Sequence, residues 1–547
     1  MKLKAIRDNI NNIIGLIGLI SLIGPIITTA GCSAEPREFN VVFITMDTTR
    51  GDYVDTGKGA KAYTPELKRF AQKAVVFERA YCAIPQTLPS HLTILTSYFP
   101  HEINVYSNEF KYDGRYEMIQ ERLKQRGYRT AGIVSLGTLA GDTGINRGFD
   151  EFNENLNDGK VFFTTAQKVT DEALRVLEKI KRERFFLFLH YSDPHSPYAP
   201  PTANGIFTVY LDEKPVLSFN AHQGSILRNT TALSPGTHRI RFRVETHEED
   251  FDAFVLRRLK FSDNCKVDFQ NIVYSKSHYN GSHILKSRDG RVEGEVHVTC
   301  DTEGSMKLFQ VIPLLTWKAA IDYYRQEVEY MDRHVGRFLK KLEQEDLLDD
   351  TVVVITADHG EGLGERERYF GHIRYLNRQF IEVPLLMHLP GIKSKRIAVP
   401  VSHTGISPTV LELLGAPDNE HTKLRSLLKL IKSGDVREKP VYSFAFKPSA
   451  VEDKLSVISG PYQCIYNKDD TGTAPREFYD YSLSQSFRRI DELSPAVLLR
   501  NSIKEFNFFQ KAFHRWSGAF NNRYFAKMRR NEKDIERLKS LGYLQRN

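Results

Sequence analysis

The sequence predicts an α/β fold in which helices sandwich a mixed sheet, with an inserted all-β module and a smaller C-terminal α+β subdomain. Over residues 40–202 and 313–435, apolar runs of strand length alternate with segments of helical period, as in a sheet covered by helices. At residues 203–312, apolar residues recur at every second position instead, which predicts strands without helices. The length of 547 residues also indicates about two to four domains.

Three apolar runs are typical of buried parallel strands, and each leads into residues that carry chemistry. The runs at 39–46, 185–190 and 352–356 are followed by Asp47, by Asp193 and by the pair Asp358-His359. Open α/β sheets place their sites at the carboxyl ends of their strands. We therefore expect these side chains to lie at one common edge of the sheet.

Two helices can be placed between the predicted strands. Thr64 and Pro65 predict a helix start, with the threonine as the cap and the proline at the first helical position. Apolar residues at helical spacing from Ile321 to Leu342 predict a long amphipathic helix.

The insert and the C-terminal region are predicted to be rich in strands. Apolar alternation at 207–211, 240–244 and 292–298, with turns at Pro235-Gly236 and Asp289-Gly290, predicts a small β-sandwich within residues 203–312. Residues 436–547 are predicted to form a subdomain that begins with strands and ends with a charged helical tail.

Residues 1–31 are predicted to be a secretory signal of the lipoprotein type, followed by a linker at 32–39. A basic start precedes an apolar stretch at 13–27, and the ending Ala30-Gly31-Cys32 resembles a bacterial lipobox in which Cys32 becomes lipidated. The alternative is an uncleaved single membrane span, because the apolar stretch is close to the required length. Both alternatives predict an exported, membrane-anchored protein in the periplasm or at the cell surface.

The remaining cysteines suggest one disulfide, and the charge distribution indicates which classes of partner suit the chain. Cys265 and Cys300 lie in one strand-rich region and are candidates for a disulfide after export, whereas Cys82 and Cys464 are predicted to be buried and to bind nothing. The net charge of +8 is spread along the chain, without a basic run interleaved with aromatic residues. This distribution argues against nucleic acid as a partner and suits an anionic substrate or anionic lipid headgroups.

Thr87 is the candidate nucleophile. It lies in a loop with two prolines that runs into a helix, and the sequence predicts its position just before the first helical turn. A hydroxyl there faces free backbone N–H groups that also bind anions, although such a threonine is by itself usually a cap. A divalent metal held by Asp47, Asp358 and His359, with Thr87 itself as a ligand, would help to deprotonate this hydroxyl.

These segments together resemble the sulfatase family of the alkaline phosphatase superfamily. The resemblance covers about residues 40–202 and 313–540 and omits the insert. It implies the alkaline phosphatase/sulfatase-like fold and a catalytic domain interrupted by the insert. The matching segments are 43–50, 87–91, 127–130, 147–150, 190–198, 356–360, 371–372, 383–386 and 478–481.

Three departures from the family pattern bear on the reaction. Thr87 replaces the Cys or Ser that sulfatases oxidise to formylglycine, His91 replaces the arginine of that motif, and Thr48 replaces the second aspartate of a pair. A threonine ester must be broken by attack at phosphorus or sulfur, which favours phosphate monoesters or diesters over sulfate esters. Fewer carboxylates and an imidazole favour zinc or manganese over calcium or magnesium.

The resemblance also assigns roles to three histidines and one further acid. His91, Asp193, His195 and His372 are predicted to line the pocket for an anionic ester, small or linked to a glycan. Of the histidines, His195 and His372 are the main candidates for protonating the leaving group. The alternative is a second metal site made of Asp193, His195 and His372.

Two other functions remain open. The chain could be a transferase of phosphoglycerol or phosphoethanolamine, although such relatives usually have several membrane spans before the catalytic domain. It could also be a non-catalytic surface lipoprotein whose insert binds glycans. The complete set of ligand-type residues argues against the second alternative, and the oligomeric state stays open.

Overall fold

The computed structural model describes most of the chain after residue 37. The signal and lipidation predictions for residues 1–32 and the helical tail after residue 481 lie outside the described residues. The described residues are 38–154, 156, 164–196, 198–201, 205–221, 225–245, 248–275, 282–288, 291–366, 369–416, 424–434, 439–446, 453–469 and 472–481.

A nine-stranded mixed sheet forms the centre of residues 40–202 and 313–435. Its order is β21-β2-β20-β17-β1-β5-β3-β4, with β22 also pairing β2. Only β20 runs against the other strands, so that β1, β5 and β17 are parallel neighbours whose carboxyl ends share one edge. The strands are β1 (Asn40–Met46), β2 (Val75–Tyr81), β3 (Arg129–Val134), β4 (Glu151–Asn153), β5 (Phe185–Tyr191), β17 (Thr351–Thr356), β20 (Glu382–His388), β21 (Lys395–Ile397) and β22 (Val401–Ser402).

Helices cover this sheet in two groups, and the predicted α/β class is confirmed. Helix α6 (Trp317–Gln344) packs against α1 (Pro65–Ala71) and α5 (Ala166–Ile180). Helix α2 (Thr87–Thr96) packs against α3 (Pro100–Ile103), α4 (Ile119–Gln125) and α8 (Ile406–Leu413). Every residue of strands β1, β5 and β17 is buried, which explains their uninterrupted apolar sequences. The remaining helices are α7 (Arg378–Ile381) and α9 (Leu428–Ser433).

The predicted long helix is confirmed as α6, but the predicted cap of α1 is wrong in its detail. The hydroxyl of Thr64 makes no cap hydrogen bond and instead accepts one from the backbone N–H of Asp55 at 2.8 Å. The carboxylate of Asp332 on α6 accepts from the N–H groups of Glu66 and Leu67 at 3.1 and 2.9 Å. A residue distant in sequence therefore supplies the cap, which local sequence patterns cannot reveal.

The insert folds into two packed antiparallel sheets with a hydrophobic core of its own. A disulfide joins Cys265 and Cys300, which face each other directly on neighbouring strands, as anticipated from the sequence. Pro235 and Gly236 form the predicted turn, whereas Asp289 and Gly290 lie outside the described residues. The strands are β6 (Ile206–Leu211), β7 (Lys214–Asn220), β8 (Ser225–Leu233), β9 (Gly236–Val244), β10 (Phe251–Arg257), β11 (Lys260–Phe261), β12 (Cys265–Gln270), β13 (Ile272–Ser275), β14 (Ser282–Lys286), β15 (Glu293–Cys300) and β16 (Gly304–Leu315).

Two smaller β elements complete the structure. A short hairpin, β18 (Gly362–Leu363) with β19 (Phe370–Gly371), follows the central strand β17, and we call it the rim hairpin. The C-terminal sheet has four antiparallel strands: β23 (Val441–Ala445), β24 (Asp453–Ser459), β25 (Tyr462–Asp469) and β26 (Gly472–Asp480). Among the described residues, no helix combines the length and the apolar character that crossing a bilayer requires.

Candidate metal and catalytic site

Asp47, Asp358 and His359 meet at the carboxyl ends of β1 and β17. One ligand-type atom from each lies within 4.8 Å of the other two. The Nε2 atom of His359 is 4.0 Å from Oδ1 of Asp47 and 3.3 Å from Oδ2 of Asp358. All three side chains are fully buried. The structure thus brings together three side chains that the sequence placed at separate strand ends.

Hydrogen bonds hold one side of each ligand residue and direct the other side into the site. His190 on β5 contacts Oδ2 of Asp47 through its Nε2 at 3.2 Å. Oδ1 of Asp358 accepts from the N–H groups of Thr48 and His359 at 3.1 and 2.7 Å. The Nδ1 atom of His359 lies 2.9 Å from the carbonyl of Gly360, which fixes this nitrogen as the donor and leaves Nε2 as a lone-pair donor to a metal.

The atoms on the inner side fit a divalent cation. Oδ1 of Asp47, Oγ1 of Thr87, Oδ2 of Asp358 and Nε2 of His359 are buried and make no hydrogen bond with the described residues. Buried polar atoms are normally paired, so four such atoms around one space call for a ligand. Two carboxylates, one imidazole and one hydroxyl form a donor set suited to a divalent metal ion.

The pKa shifts of Asp47, Asp358 and His359 also indicate a site for a cation. Burial raises the pKa of Asp47 to about 7, and the nearby charge of His372 only partly opposes this effect. Burial, reinforced by the charge of Asp47, raises the pKa of Asp358 well above its usual range. Burial lowers the pKa of His359 well below its usual range, which keeps its imidazole neutral. A bound cation would stabilise both ionised acids and would use the neutral imidazole as a ligand.

Thr87 is the first residue of α2, one position later than the sequence predicted. Gln86 occupies the cap position without a side-chain cap bond, and the N–H of Leu88 donates to Asn108 at 2.9 Å. The hydroxyl of Thr87 therefore does not cap the N-terminus of α2. It lies close enough to Asp47 to lower the pKa of that acid, but it makes no hydrogen bond of normal geometry.

Two of the three predicted pocket histidines lie beside the acid cluster. The ring centres of His372 and His359 are 4.3 Å apart, and those of His372 and His195 are 5.2 Å apart. Burial lowers the pKa of His372, but the carboxylate of Glu361, 2.9 Å from its Nδ1, outweighs this effect and the net pKa is raised. Burial lowers the pKa of His195 to about 3, so this ring is neutral.

Two other predicted site residues, His91 and Asp193, form hydrogen bonds with neighbouring protein atoms. Both ring nitrogens of His91 contact protein oxygens, the carbonyl of Thr87 at 2.7 Å and the hydroxyl of Thr45 at 3.0 Å. The ring of His91 therefore joins α2 to β1, and its Nδ1 also lies 3.7 Å from Oδ2 of Asp358. Its place in the anion pocket stays a prediction. Oδ1 of Asp193 accepts from the N–H of Ala166 at the start of α5 at 2.9 Å, whereas its buried Oδ2 makes no hydrogen bond with the described residues. The second metal site of Asp193 with His195 and His372 stays a prediction.

Three residues with supporting contacts received no role from the sequence. Glu361 links Tyr198, whose hydroxyl donates to it at 2.8 Å, to the ring of His372. His190 orients Asp47 from inside an apolar strand. Glu361 lies directly after Asp358-His359-Gly360, and an acid beside a metal-type motif was the only available signal for its role.

The site thus combines acids, an imidazole and a hydroxyl at the carboxyl-end edge of the mixed sheet. A family model described as Sulfatase matches residues 39–416. The chain belongs to the sulfatase family, and it is an enzyme that hydrolyses ester bonds.

Individual relatives agree with this assignment. The chain is 25% identical over 403 residues to the N-acetylglucosamine-6-O-sulfatase of Bacteroides thetaiotaomicron, which covers 70% of this chain and 68% of that protein. It is 23% identical over 454 residues to the choline-sulfatase of Rhizobium meliloti, with 81% of this chain and 80% of that protein covered.

Solved structures share the fold. A structure with bound D-glucosamine-2-N,6-O-disulfate has a TM-score of 0.58 at 16% identity and covers 88% of this chain and 99% of its own. The phosphonate monoester hydrolase of Silicibacter pomeroyi has a TM-score of 0.56 at 18% identity, and the match covers 87% of this chain and 96% of that chain.

Proposed function

We propose that this chain is a metal-dependent hydrolase of anionic esters in which Thr87 is the nucleophile, and that phosphate monoesters or diesters are its preferred substrates. The observation that carries this proposal is the unbonded hydroxyl of Thr87 in the same buried space as the inner atoms of Asp47, Asp358 and His359. A divalent cation bound there, zinc or manganese by its donor set, would supply the positive charge that activates the hydroxyl and neutralises the anion.

The residues of the chain suggest two chemical steps. With a cation bound, the hydroxyl of Thr87 would first give up its proton to solvent. The resulting Oγ1 oxyanion attacks phosphorus, the bond from phosphorus to the leaving oxygen breaks, and that oxygen takes the proton from Nε2 of His372. Glu361 holds Nδ1 of the same ring and favours the protonated form. In the second step water gives a proton back to His372 and attacks phosphorus, so that the threonine ester breaks and Thr87 is restored.

Sulfate esters are the second candidate substrates. The names of the relatives favour them, because two matched proteins are a sugar sulfatase and a choline-sulfatase. Against them stands Thr87, which cannot become formylglycine and must release sulfate through attack on a threonine sulfate. The leaving group and the central atom must therefore be tested separately.

The test is a panel of 4-nitrophenyl phosphate, phosphodiester, phosphonate and sulfate, each assayed with zinc, manganese, magnesium and calcium. We expect the highest kcat/KM for a phosphorus ester with zinc or manganese. Thr87→Ala should lower turnover by about a thousandfold or more while the metal content stays near that of the wild type. Thr93→Ala is the matched control, since Thr93 lies on the same helix and its hydroxyl donates to the carbonyl of Pro89 within that helix.

The possible outcomes separate the candidates. A preference for the sulfate ester would reject the phosphorus preference and keep the family assignment. Turnover that survives Thr87→Ala would remove Thr87 from the mechanism. Release of the 4-nitrophenol only with an added alcohol acceptor would identify a transferase, and protein without metal or turnover would favour a binding function.

The location of the enzyme is part of the same proposal. We infer that the chain is exported and anchored by a lipid on Cys32, as its first residues predict. The disulfide between Cys265 and Cys300 supports this inference, because such bonds persist in oxidising compartments. Labelling with a lipid precursor should mark the wild type and leave Cys32→Ala unmarked.

A further inference from the structure

His372 lies in a strained stretch of backbone that other parts of the chain hold in place. The next residue, Ile373, has a φ angle of +48°, a left-handed conformation that a β-branched residue rarely adopts. Its N–H donates to the carbonyl of Pro85 at 3.4 Å, which ties this stretch to the loop before Thr87. Strained backbone persists only where surrounding contacts determine it, and it occurs often at active sites. The contacts on both sides of His372 therefore decide where its ring lies.

Arg366 contacts the chain on both sides of His372. On the earlier side, its carbonyl accepts from the N–H of Tyr369 at 2.8 Å. The hydroxyl of Tyr369 in turn donates to the carbonyl of His372 at 3.4 Å. On the later side, the guanidinium of Arg366 lies 4.4 Å from the ring centre of Tyr375 and donates to Asn377 at 2.9 Å. A displacement of Arg366 would therefore release both ends of the segment that carries His372.

The C-terminal sheet holds Arg366 through Glu477 on strand β26. The two carboxylate oxygens of Glu477 accept from Nη1 and Nη2 of Arg366 at 2.6 and 2.7 Å. Such a bidentate pair fixes the plane of the guanidinium as well as its position. Glu477 is buried, and the hydroxyl of Tyr479 also donates to it. The neighbouring strand β25 adds a second contact, because Nε2 of Gln463 donates to the carbonyl of Leu376 at 2.6 Å.

We propose that the C-terminal sheet positions His372 for protonation of the leaving group, with Glu477 acting through Arg366. This inference rests on the proposed function, in which His372 gives its proton to the leaving oxygen. It goes further because it gives the C-terminal sheet a part in the reaction. An acid must stay within hydrogen-bond reach of the oxygen that it protonates, and a small displacement removes much of its effect. Glu477 and Arg366 are therefore positioning residues, whereas His372 meets the substrate.

The first test compares leaving groups. The 4-nitrophenolate ion departs with little help from an acid, whereas phenolate needs a proton. Glu477→Gln keeps the size of the side chain, but its amide nitrogen would face a donor of Arg366. This variant should lower kcat/KM for phenyl phosphate about tenfold and for 4-nitrophenyl phosphate at most about twofold. The same comparison with phenyl and 4-nitrophenyl sulfate covers an enzyme that prefers sulfate esters.

Three further variants calibrate this test. His372→Ala should show the same selectivity with a larger loss, about a hundredfold or more for the phenyl ester. Arg366→Lys keeps the charge beside Glu477 without the planar fork, so it should resemble Glu477→Gln and replaces that variant if it does not fold. Glu343→Gln is the matched control, because Glu343 accepts from Arg69 at 2.9 and 2.8 Å. It lies near the C-terminal end of α6, whereas the rim hairpin contacts the start of that helix, so both esters should be unaffected.

The second test measures the segment around His372 without turnover. Hydrogen exchange in the peptide 369–377 should be faster in Glu477→Gln than in the wild type, while the peptide that covers β17 stays unchanged. Unchanged exchange in the peptide 369–377 would overturn the proposal. An equal loss of kcat/KM on both leaving groups would also overturn it, because Glu477 would then only stabilise the fold.

These results are separable from a failure of the proposed function. If the wild type hydrolyses none of the esters, or if His372→Ala loses equally on both leaving groups, the proposed role of His372 is rejected and this inference falls with it. If His372→Ala is selective but Glu477→Gln and Arg366→Lys equal the wild type, only the positioning role of the C-terminal sheet is rejected.

Discussion

Gly360 determines how closely the metal-type residue His359 approaches the rest of the site. A Cβ atom at this position would stand 2.1 Å from the carbonyl oxygen of Gln379, which is backbone and cannot rotate away. The carbonyl of Gly360 also receives the Nδ1 contact of His359 at 2.9 Å. One small residue therefore sets both the position and the tautomer of the imidazole.

We predict that Gly360→Ala displaces His359 and weakens metal binding by at least about tenfold, with a similar or greater loss of turnover. Metal content after dialysis against buffered zinc, measured by mass spectrometry, checks this result. Gly51→Ala is the matched control, because the nearest atom to its Cβ would lie at an ordinary 3.5 Å. Normal metal content in Gly360→Ala would show that the backbone adjusts without moving the imidazole.

Single residues also mark the limit of what the sequence could predict. The sequence predicts both His91 and His372 to line the pocket and favours His372 for protonating the leaving group. The structure separates them, because His91 uses both nitrogens on Thr87 and Thr45, whereas only Nδ1 of His372 is bound, to Glu361. Whether a ring nitrogen is already bonded depends on residues distant in sequence, and a motif carries no such information. The acids at the strand ends were predictable because burial and sheet topology place them.

At the scale of elements, helix α1 depends on helix α6 for its N-terminal cap. Asp332 accepts from two N–H groups at the start of α1, and its side chain is fully buried. Burial raises its pKa to about 6, although the two N–H groups oppose this effect. The native state therefore binds a proton here more tightly than the unfolded chain does.

The sign of the pH effect follows from this raised pKa. Between pH 4 and 6 the unfolded chain loses the proton first, so the contribution of Asp332 to stability falls as the pH rises and stays low above pH 6. Asp332→Asn cannot ionise. We predict that the stability of this variant relative to the wild type increases by up to about 3 kcal/mol from pH 4 to 7, measured as the difference in thermal midpoints. A difference that is constant with pH would contradict this account.

The rim hairpin is the element that the sequence could not predict. Each of its strands has two residues, which is too short for any periodic signal. It nevertheless sets the distance between Glu361 and His372, since these residues flank its two paired strands. The long strands and helix α6 were predictable for the opposite reason, because their apolar patterns extend over several turns or pleats.

At the scale of the whole molecule, the insert is a second folded unit with its own core and its own covalent link. The disulfide closes a segment with a sequence separation of 35 residues, and Gly304 packs directly on both sulfur atoms. Closing such a loop stabilises a fold by about 4 kcal/mol, chiefly by restricting the unfolded chain.

We predict that the double variant Cys265→Ala/Cys300→Ala unfolds its insert at a lower temperature, while the catalytic domain keeps its own transition. Calorimetry and hydrogen exchange on the strands of the insert can measure both transitions. Dithiothreitol should reproduce the effect in the wild type and add nothing to the variant. Cys82→Ala serves as a control for cysteine loss, because Cys82 is a free thiol in the main core. Identical curves for oxidised and reduced wild type would contradict the prediction.

The central strand β1 obtains one of its two neighbours from very late in the chain. The contact between the N–H of Thr48 and Asp358 spans 310 positions, and β1 pairs with β17, which ends at Thr356. During synthesis, strand β1 therefore cannot pair with β17 until residues 351–356 have left the ribosome. If the chain is exported as proposed, it reaches the translocation pore as an unfolded thread, and its metal site forms only at its destination. The ions available in that compartment, rather than those of the cytosol, would then decide which metal the enzyme carries.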